Sequence, residues 1–336
     1  MRKARTRLSA VCAIGITTTF AFSAHADPTG MTLTAAGSAL FTLSTFADNF
    51  PITSSPCCGP LGIAFPTTGG VMVADYPGNV RVFATDTDGQ QASAGAIGQN
   101  YGAGNGVGLA SLNGNIYMTE QSAGRLVQLN NDGTFNHNVN TSLPFATGLA
   151  ANSSNNVLYV SNGSNIQAVN ATTGVATLFA NAGADGLTLS ADHSTLYAEV
   201  GSHILGFLTS NGSEVFDSGF IAGQADGVAI GATGALAGKL FVNTNSGTIV
   251  EIDIATLAQT LIATGGSRGD FVNVDPLNNT LLLTQTDDII RLTPISGTFE
   301  GGNTPLPATL PLFASGAGVF GYLGWRRKKK ATALSA

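Results

Sequence analysis

The chain has 336 residues, and its low charged content (10%) with 43 glycines suits a β structure dense in turns. All 20 acidic residues lie between Asp27 and Glu300 together with five of the 14 basic residues, so this region carries a net charge of −15 (five minus 20). Such a surface repels phosphate backbones and attracts cations, which argues against nucleic acid as a partner.

The N-terminal segment, residues 1–26, has the pattern of a secretory signal peptide. Basic residues between Arg2 and Arg7 precede an apolar run from Leu8 to Phe22, and Ala24 to Ala26 supply the small residues of a cleavage site. The apolar run is shorter than the roughly 20 residues that a membrane-spanning helix needs. We therefore expect export, with cleavage after Ala26.

Six stretches between the two ends share one plan, in which a glycine or an equivalent opens a short strand and further apolar strands follow. Their opening residues are spaced by 44, 42, 38, 41 and 44 positions, the length of a four-stranded propeller blade. These opening residues are Gly62, Gly106, Gly148, Gly186, Gly227 and Phe271. The blades are therefore predicted to start near residues 61, 105, 147, 185, 226 and 270.

The fold predicted for residues 27–300 is an all-β, six-bladed β-propeller. The last repeat lacks a fourth strand, whereas the strand-like stretch Ala39 to Ala47 precedes the first repeat and belongs to none. Pairing the two would close the ring and remove two exposed sheet edges. A seven-bladed ring and a β-sandwich are the alternatives, but a sandwich gives no reason for six repeats.

Cys57 and Cys58 are the only cysteines after the signal peptide. The pair could form a disulfide, bind a metal or remain as two thiols. No histidine or further cysteine lies nearby in the sequence to complete a soft metal site, so an oxidised pair or inert thiols are favoured.

The six residues that stand just before the opening positions are expected to meet at one mouth of the central channel. This column contains Leu61, Asn105, Thr147, Asp185, Asp226 and Asp270. Because the innermost strands surround the channel, three carboxylates and an amide should face one another there, and calcium prefers such oxygen ligands. Asp-Gly and Asn-Gly are also ordinary turn chemistry, in which the side chain caps its own backbone and glycine takes positive φ. Both interpretations stay open.

The repeat pattern resembles the NHL and gluconolactonase-type group of six-bladed propellers, most closely at DGLTLSADHSTLYAE, which starts at Asp185. The resemblance implies a Ca²⁺ site in which Asn105, Asp185 and Asp226 are ligands and Asp270 is a further ligand or general base. It also implies a metal-dependent lactone hydrolase, in which the ion polarises the lactone or activates its water. The first-blade glutamate usual in that group has no counterpart, since Leu61 stands there.

The C-terminal region combines a proline motif, an apolar span and a basic cluster. Residues 301–307 form a linker that ends in Pro305, Leu306 and Pro307; residues 308–325 carry no charge and could span a bilayer; residues 326–336 form a basic cytoplasmic tail. With Trp325, Arg326 and Arg327, this order resembles the PEP-CTERM sorting signal of exopolysaccharide-producing Gram-negative bacteria, although Leu306 replaces the glutamate of Pro-Glu-Pro. A simple single-pass anchor is the alternative.

The PEP-CTERM resemblance implies transient contact with the inner membrane and processing by an exosortase-type enzyme, with the product at the cell surface or in the medium. Two functions remain. One is a surface- or matrix-associated binding module linked to the exopolysaccharide envelope, whose ligand is a polysaccharide, a cation or a surface protein. The other is an extracytoplasmic calcium-dependent lactone hydrolase. The missing first-blade glutamate and the lack of a nucleophile motif favour the first.

Overall fold

A computed structural model describes residues 30–53, 57–231 and 233–295. The predicted signal peptide, the motif Pro305 to Pro307, the apolar span 308–325 and the basic tail lie outside these described residues. Within the described part of the chain, no helix is both long and apolar enough to cross a membrane.

The first described elements are β1 (Thr32–Leu33), α1 (Ala35–Leu40) and β2 (Phe41–Asp48). The chain through blades 1 and 2 then forms β3 (Pro60–Ala64), β4 (Val71–Asp75), β5 (Asn79–Phe83), β6 (Gln90–Gln91), β7 (Ala96–Asn100), β8 (Leu109–Leu112), β9 (Asn115–Glu120), β10 (Arg125–Leu129) and β11 (Phe135–Asn140). Blades 3 and 4 contain β12 (Leu149–Asn152), β13 (Val157–Ser161), β14 (Ile166–Asn170), β15 (Ala176–Ala180), β16 (Leu187–Leu189), β17 (Thr195–Val200), β18 (His203–Leu208) and β19 (Glu214–Asp217).

Blades 5 and 6 contain β20 (Ala225–Ile230), β21 (Lys239–Thr244), β22 (Ile249–Asp253), β23 (Gln259–Thr264), β24 (Val272–Val274), β25 (Leu281–Thr284) and β26 (Ile289–Pro294). Single 3-10 turns occur at Ala92–Ala94 and Gly234–Leu236. Each blade contains a four-stranded antiparallel sheet, and blade 6 takes its fourth strand, β2, from the N-terminal part of the chain. The short strands β1 and β6 add a fifth strand to the sheets of blades 5 and 6. The six-bladed all-β propeller predicted from the repeats is therefore confirmed.

The hydrophobic core is divided among the interfaces between neighbouring blades. Six clusters of buried side chains each combine residues of two adjacent blades, such as Met72 of blade 1 with Met118 of blade 2, and Phe241 of blade 5 with Leu283 of blade 6. Middle strands such as β4 are buried along their whole length, because neighbouring blades cover both faces. Each blade thus depends on its two neighbours for stability.

The ring is closed by β2, which pairs antiparallel with β26 from Phe41 opposite Pro294 to Ala47 opposite Ile289. The predicted closure by the N-terminal strand is confirmed, but the strand prediction for Ala39 and Leu40 is wrong. These two residues are the last of α1, a helix whose start is stabilised by Thr34, which accepts a hydrogen bond from the Gly37 amide. The strand β2 also makes a short parallel pair with β6, which lies in the chain between β5 and β7 of blade 1.

Phe46 is the main side chain of the closing interface. It is fully buried, its ring centroid lies 5.2 Å from that of Phe83 in blade 1, and the Arg291 guanidinium lies 5.3 Å from its centroid. We expect Phe46→Ala to lower the free energy of unfolding by about 3–5 kcal/mol, since it leaves a cavity between blades 6 and 1. Urea unfolding measures the effect, with Phe135→Ala on the exposed face of β11 as the control. Equal stability of the two variants would contradict the role of Phe46.

Candidate functional site

The opening glycines bring the first residues of the inner strands together. A Cβ on Gly148 would lie 1.7 Å from the carbonyl oxygen of Asp185, and a Cβ on Gly227 would lie 2.0 Å from that of Asp270. Backbones of adjacent blades touch here, which only glycine permits. Neither glycine has a positive φ, so that part of the turn interpretation is wrong: close approach, and not turn geometry, requires glycine.

A polar cavity of about 640 Å³ opens at this mouth of the channel, and we call it the mouth pocket. The residues that matter for its chemistry are Gln121, Phe145, Asn162, Asp185, Glu199, Asp226, Asn245 and Arg268. It includes two of the predicted acids, Asp185 and Asp226, and Asp270 joins them through Arg268. Blades 4 to 6 therefore supply one group of carboxyl side chains, which we call the mouth acids: Asp185, Glu199, Asp226 and Asp270.

Asn105 and Leu61 have different surroundings. The Asn105 amide donates to the carbonyl of Tyr101, and its side-chain oxygen accepts from the Ala123 amide. Leu61 packs with Val107 in a small apolar cluster. Asn105 thus has both polar ends engaged in local loop contacts, and its role as a calcium ligand stays a prediction.

Arg268 lies among the mouth acids and contacts two of them. Its Nη2 is 3.1 Å from Asp226 Oδ2 and 2.9 Å from Asp270 Oδ1, and its Nε donates to Asn245 Oδ1 at 2.7 Å. Three oxygen atoms from three side chains therefore converge on one guanidinium. A planar guanidinium with five donors is suited to such a group of acceptors.

The adjacent cysteines complete the surroundings of Arg268. Its Nη1 donates to the sulfur atoms of both Cys57 and Cys58, which are joined as a disulfide in the structure. Cys58 is buried and packs with Leu61 and Val107 at the same mouth. The cysteine pair thus helps to hold the arginine in place.

Burial and mutual repulsion shape the charge of the mouth acids. Burial, followed by repulsion from Asp270 and Asp185, raises the pKa of Asp226 well above its usual value. Burial raises the pKa of Asp270 to about 7 against the attraction of Arg268. One guanidinium shared by two buried carboxylates offsets only part of their desolvation and repulsion.

Glu199 is a further mouth acid with a strongly raised pKa. It is 6% exposed, and burial together with the charges of Asp226 and Asp185 raises its pKa to about 9. Its Oε2 accepts from the Asp185 amide at 3.3 Å. At neutral pH Glu199 is therefore a neutral carboxylic acid that can donate a hydrogen bond.

The repeats contain a signal for Glu199 that lies in a second column, 13 positions after the opening residue. In blades 2 and 3 this column holds hydroxyl groups that bridge to the next blade: Thr119 Oγ1 donates to the Thr147 carbonyl at 2.5 Å, and Ser161 Oγ donates to the Asp185 carbonyl at 3.2 Å. Two members of the column are ionisable: Asp75 of blade 1, which pairs with Arg81, and Glu199 of blade 4. Arg268 has a weaker signal, since it stands two residues before Asp270 in a region poor in basic residues.

The site is better suited to an internal cation than to calcium. Asp226, Asp270 and Asn245 already direct oxygens at Arg268, where an ion held by them would have to sit. Among residues 30–53, 57–231 and 233–295, no group of three or more His, Cys, Asp or Glu is arranged to hold a metal ion. The predicted calcium site stays a prediction, and no step of function is derived through a metal.

No protein-family model and no curated protein matches the chain. Solved structures do match. A gluconolactonase from Xanthomonas campestris is 14% identical, with 81% of this chain and 96% of that chain covered and a TM-score of 0.60. A putative oxidoreductase (glucose dehydrogenase) from Thermus thermophilus is 14% identical, with 75% and 99% covered and a TM-score of 0.57.

A chain of a nidogen/laminin complex is also similar, at 15% identity, with 66% of this chain and 90% of that chain covered and a TM-score of 0.52. At such low identities the similarity shows the fold alone. The chain is a six-bladed β-propeller that resembles gluconolactonase-type and NHL-like structures. Proteins described as enzymes and as part of a protein complex share this fold, so the fold does not decide the function.

The acidity of Glu199 leads to a pH-dependent prediction. Because its folded pKa of about 9 lies above the usual 4.5, folding takes up a proton between these values, and this residue lowers stability as the pH rises through the window. Glutamine stays neutral, so Glu199→Gln should gain stability relative to the wild type between about pH 5 and about pH 9. Urea unfolding at both pH values measures this, and exposed Glu214→Gln on β19 is the control. A constant difference between Glu199→Gln and the wild type would contradict the expectation.

Proposed function

We propose that the chain is an exported, surface- or matrix-associated propeller that binds a saccharide in the mouth pocket. The observation that carries the proposal is an exposed aromatic ring beside a cavity rich in amide and carboxyl groups. Phe145 is 70% exposed and lines the pocket with Gln121, Asn162 and Asn245. Amides and carboxyl groups hydrogen-bond sugar hydroxyls, and an aromatic face covers the C–H face of a sugar ring.

The backbone at Phe145 supports a binding role for its side chain. Its φ is 57°, a left-handed conformation that is unusual for a bulky residue. Such conformations cost of order 1–3 kcal/mol and occur preferentially at functional sites. The loop thus holds a large apolar ring in solvent at the pocket rim, where a monomeric globular protein gains nothing from exposing it.

Charge balance favours binding over metal-dependent hydrolysis. Arg268 neutralises part of the mouth acids within the chain itself, and Glu199 is neutral at physiological pH. The pocket therefore offers both donors and acceptors, as a polyhydroxyl ligand requires.

If the mouth pocket binds a saccharide, the Phe145 ring contributes to the affinity. Phe145→Ala should weaken binding by about tenfold or more, equal to about 1.4 kcal/mol, since the stacking surface is lost. Isothermal titration with oligosaccharides from the exopolysaccharide of the producing bacterium measures the affinity. Phe220→Ala is a matched control, because Phe220 is 69% exposed and does not line the pocket. Equal loss in both variants, or no saccharide binding by the wild type, would refute the proposal.

The second candidate is a calcium-dependent lactone hydrolase, which the fold-level similarity to the Xanthomonas campestris gluconolactonase favours. Calcium-dependent turnover of a sugar lactone by the purified protein would distinguish this hydrolase from a saccharide-binding module. That turnover would have to disappear in Asp226→Ala while the melting temperature showed a folded chain.

Export is part of the proposal and rests on the sequence of the two ends. In the native host, we expect the mature protein to begin at Asp27 and to lack everything after the region of Thr304 to Pro307. Mass spectrometry of the surface and medium fractions measures both ends. Recovery only of membrane-bound chains that retain Trp325 to Lys330 would instead favour a permanent anchor.

A further inference from the structure

We propose that Arg268 is a built-in substitute for a divalent cation, and that its removal turns the mouth of this propeller into a calcium-binding site. The inference concerns how the mouth acids are neutralised and does not depend on the saccharide. Two of the acids predicted to bind a metal, Asp226 and Asp270, already contact Arg268.

The guanidinium makes contacts that a bound cation would otherwise make. Asp226 Oδ2, Asp270 Oδ1 and Asn245 Oδ1 all lie within 3.1 Å of its nitrogen atoms. These are two carboxylates and one amide, the oxygen ligands that calcium prefers. They come from β20, from the loop after β21 and from the segment just before β24, so they are fixed by two neighbouring blades rather than by one flexible loop.

Further oxygens in the same group lack a partner. Asp185 Oδ1 and Asp270 Oδ2 are buried, and each has no hydrogen-bond partner among the described residues. Asp185 also lines the mouth pocket. Buried carboxylate oxygens are normally satisfied by donors or cations, so these two atoms are available to an ion placed beside them.

Removal of Arg268 would leave the mouth acids without a positive charge beside them. Arg268 is the one basic residue that lines the mouth pocket in the described part of the chain; Asp226 and Asp270 contact its head group, and Asp185 and Glu199 line the same pocket. Loss of one partner of a buried ion pair leaves an uncompensated charge. In the variant, a calcium ion with water ligands restores that charge, because three oxygen donors already converge on the place of the guanidinium.

An arginine and a bound ion differ in whether the neutralisation of the mouth acids depends on the ion concentration. A tethered guanidinium neutralises the site at any ion concentration, whereas a calcium site is filled only when the ion is supplied. We therefore expect the wild-type chain to be as stable in the presence of a chelator as in its absence. Nη1 is held by the sulfur atoms of Cys57 and Cys58, which keeps the guanidinium over the acids.

The test compares the full-length wild type with Arg268→Gln in buffer with a chelator and in millimolar calcium chloride, by thermal unfolding and isothermal titration. We expect Arg268→Gln to bind calcium at least about tenfold more tightly than the wild type. Its melting temperature should rise by several degrees in calcium, while that of the wild type does not change. Arg268→Gln/Asp226→Asn, which lacks one ligand charge, should lose most of this gain.

Arg125→Gln is the matched control, because Arg125 forms an ion pair with a single buried carboxylate, that of Glu120. It removes one arginine without bringing several oxygens together, so calcium should not stabilise it. If Arg268→Gln does not fold in chelator, calcium should restore the folded protein. A folded Arg268→Gln without calcium affinity, an unfolded one that calcium does not rescue, or a wild type that binds calcium equally well would overturn the proposal.

Discussion

The pairing of β2 with β26 is the interaction on which the rest of this structure depends. Each blade buries its apolar faces against its two neighbours, so the first and last blades must meet for both of them to be covered on the sides that flank the ring opening. The chain achieves this by giving blade 6 a strand from the N-terminal side, with Phe46 between the two blades. Ring closure also fixes the distance between opposite sides of the channel, and therefore the geometry of the mouth.

The mouth is narrow because neighbouring inner strands touch at glycine. With the carbonyl of Asp185 where a Cβ of Gly148 would be, the side chains that precede the glycines are drawn together and away from water. Desolvation then penalises their ionised forms, and the raised pKa values of Asp226, Asp270 and Glu199 follow from this. Some positive charge must balance such a group, and here the chain provides it as Arg268.

The residues at the mouth distinguish this propeller from proteins of similar fold. The propeller resembles that of a gluconolactonase at 14% identity, a level that leaves the site free to differ. In this chain, Leu61 belongs to an apolar cluster, Asn105 is engaged in its own loop, and a guanidinium contacts two acids. A pocket with neutral and ionised carboxyl groups, amides and an exposed phenyl ring is suited to recognition through many weak contacts.

The sequence by itself determined the six-bladed ring and the closing strand, because blade length and an unpaired strand are local, repeated features that can be counted. It also placed Asp185, Asp226 and Asp270 at one mouth, since equivalent positions of a repeat occupy equivalent positions in a ring. It did not reveal that Thr34 starts a helix through Leu40, since that depends on a single capping hydrogen bond. Only the tertiary structure decided which side chains meet: Arg268 contacts Asn245 and Asp226, which stand 23 and 42 positions before it, beside the buried Glu199. Their burial together, which sets their charges, arises only when the ring is closed.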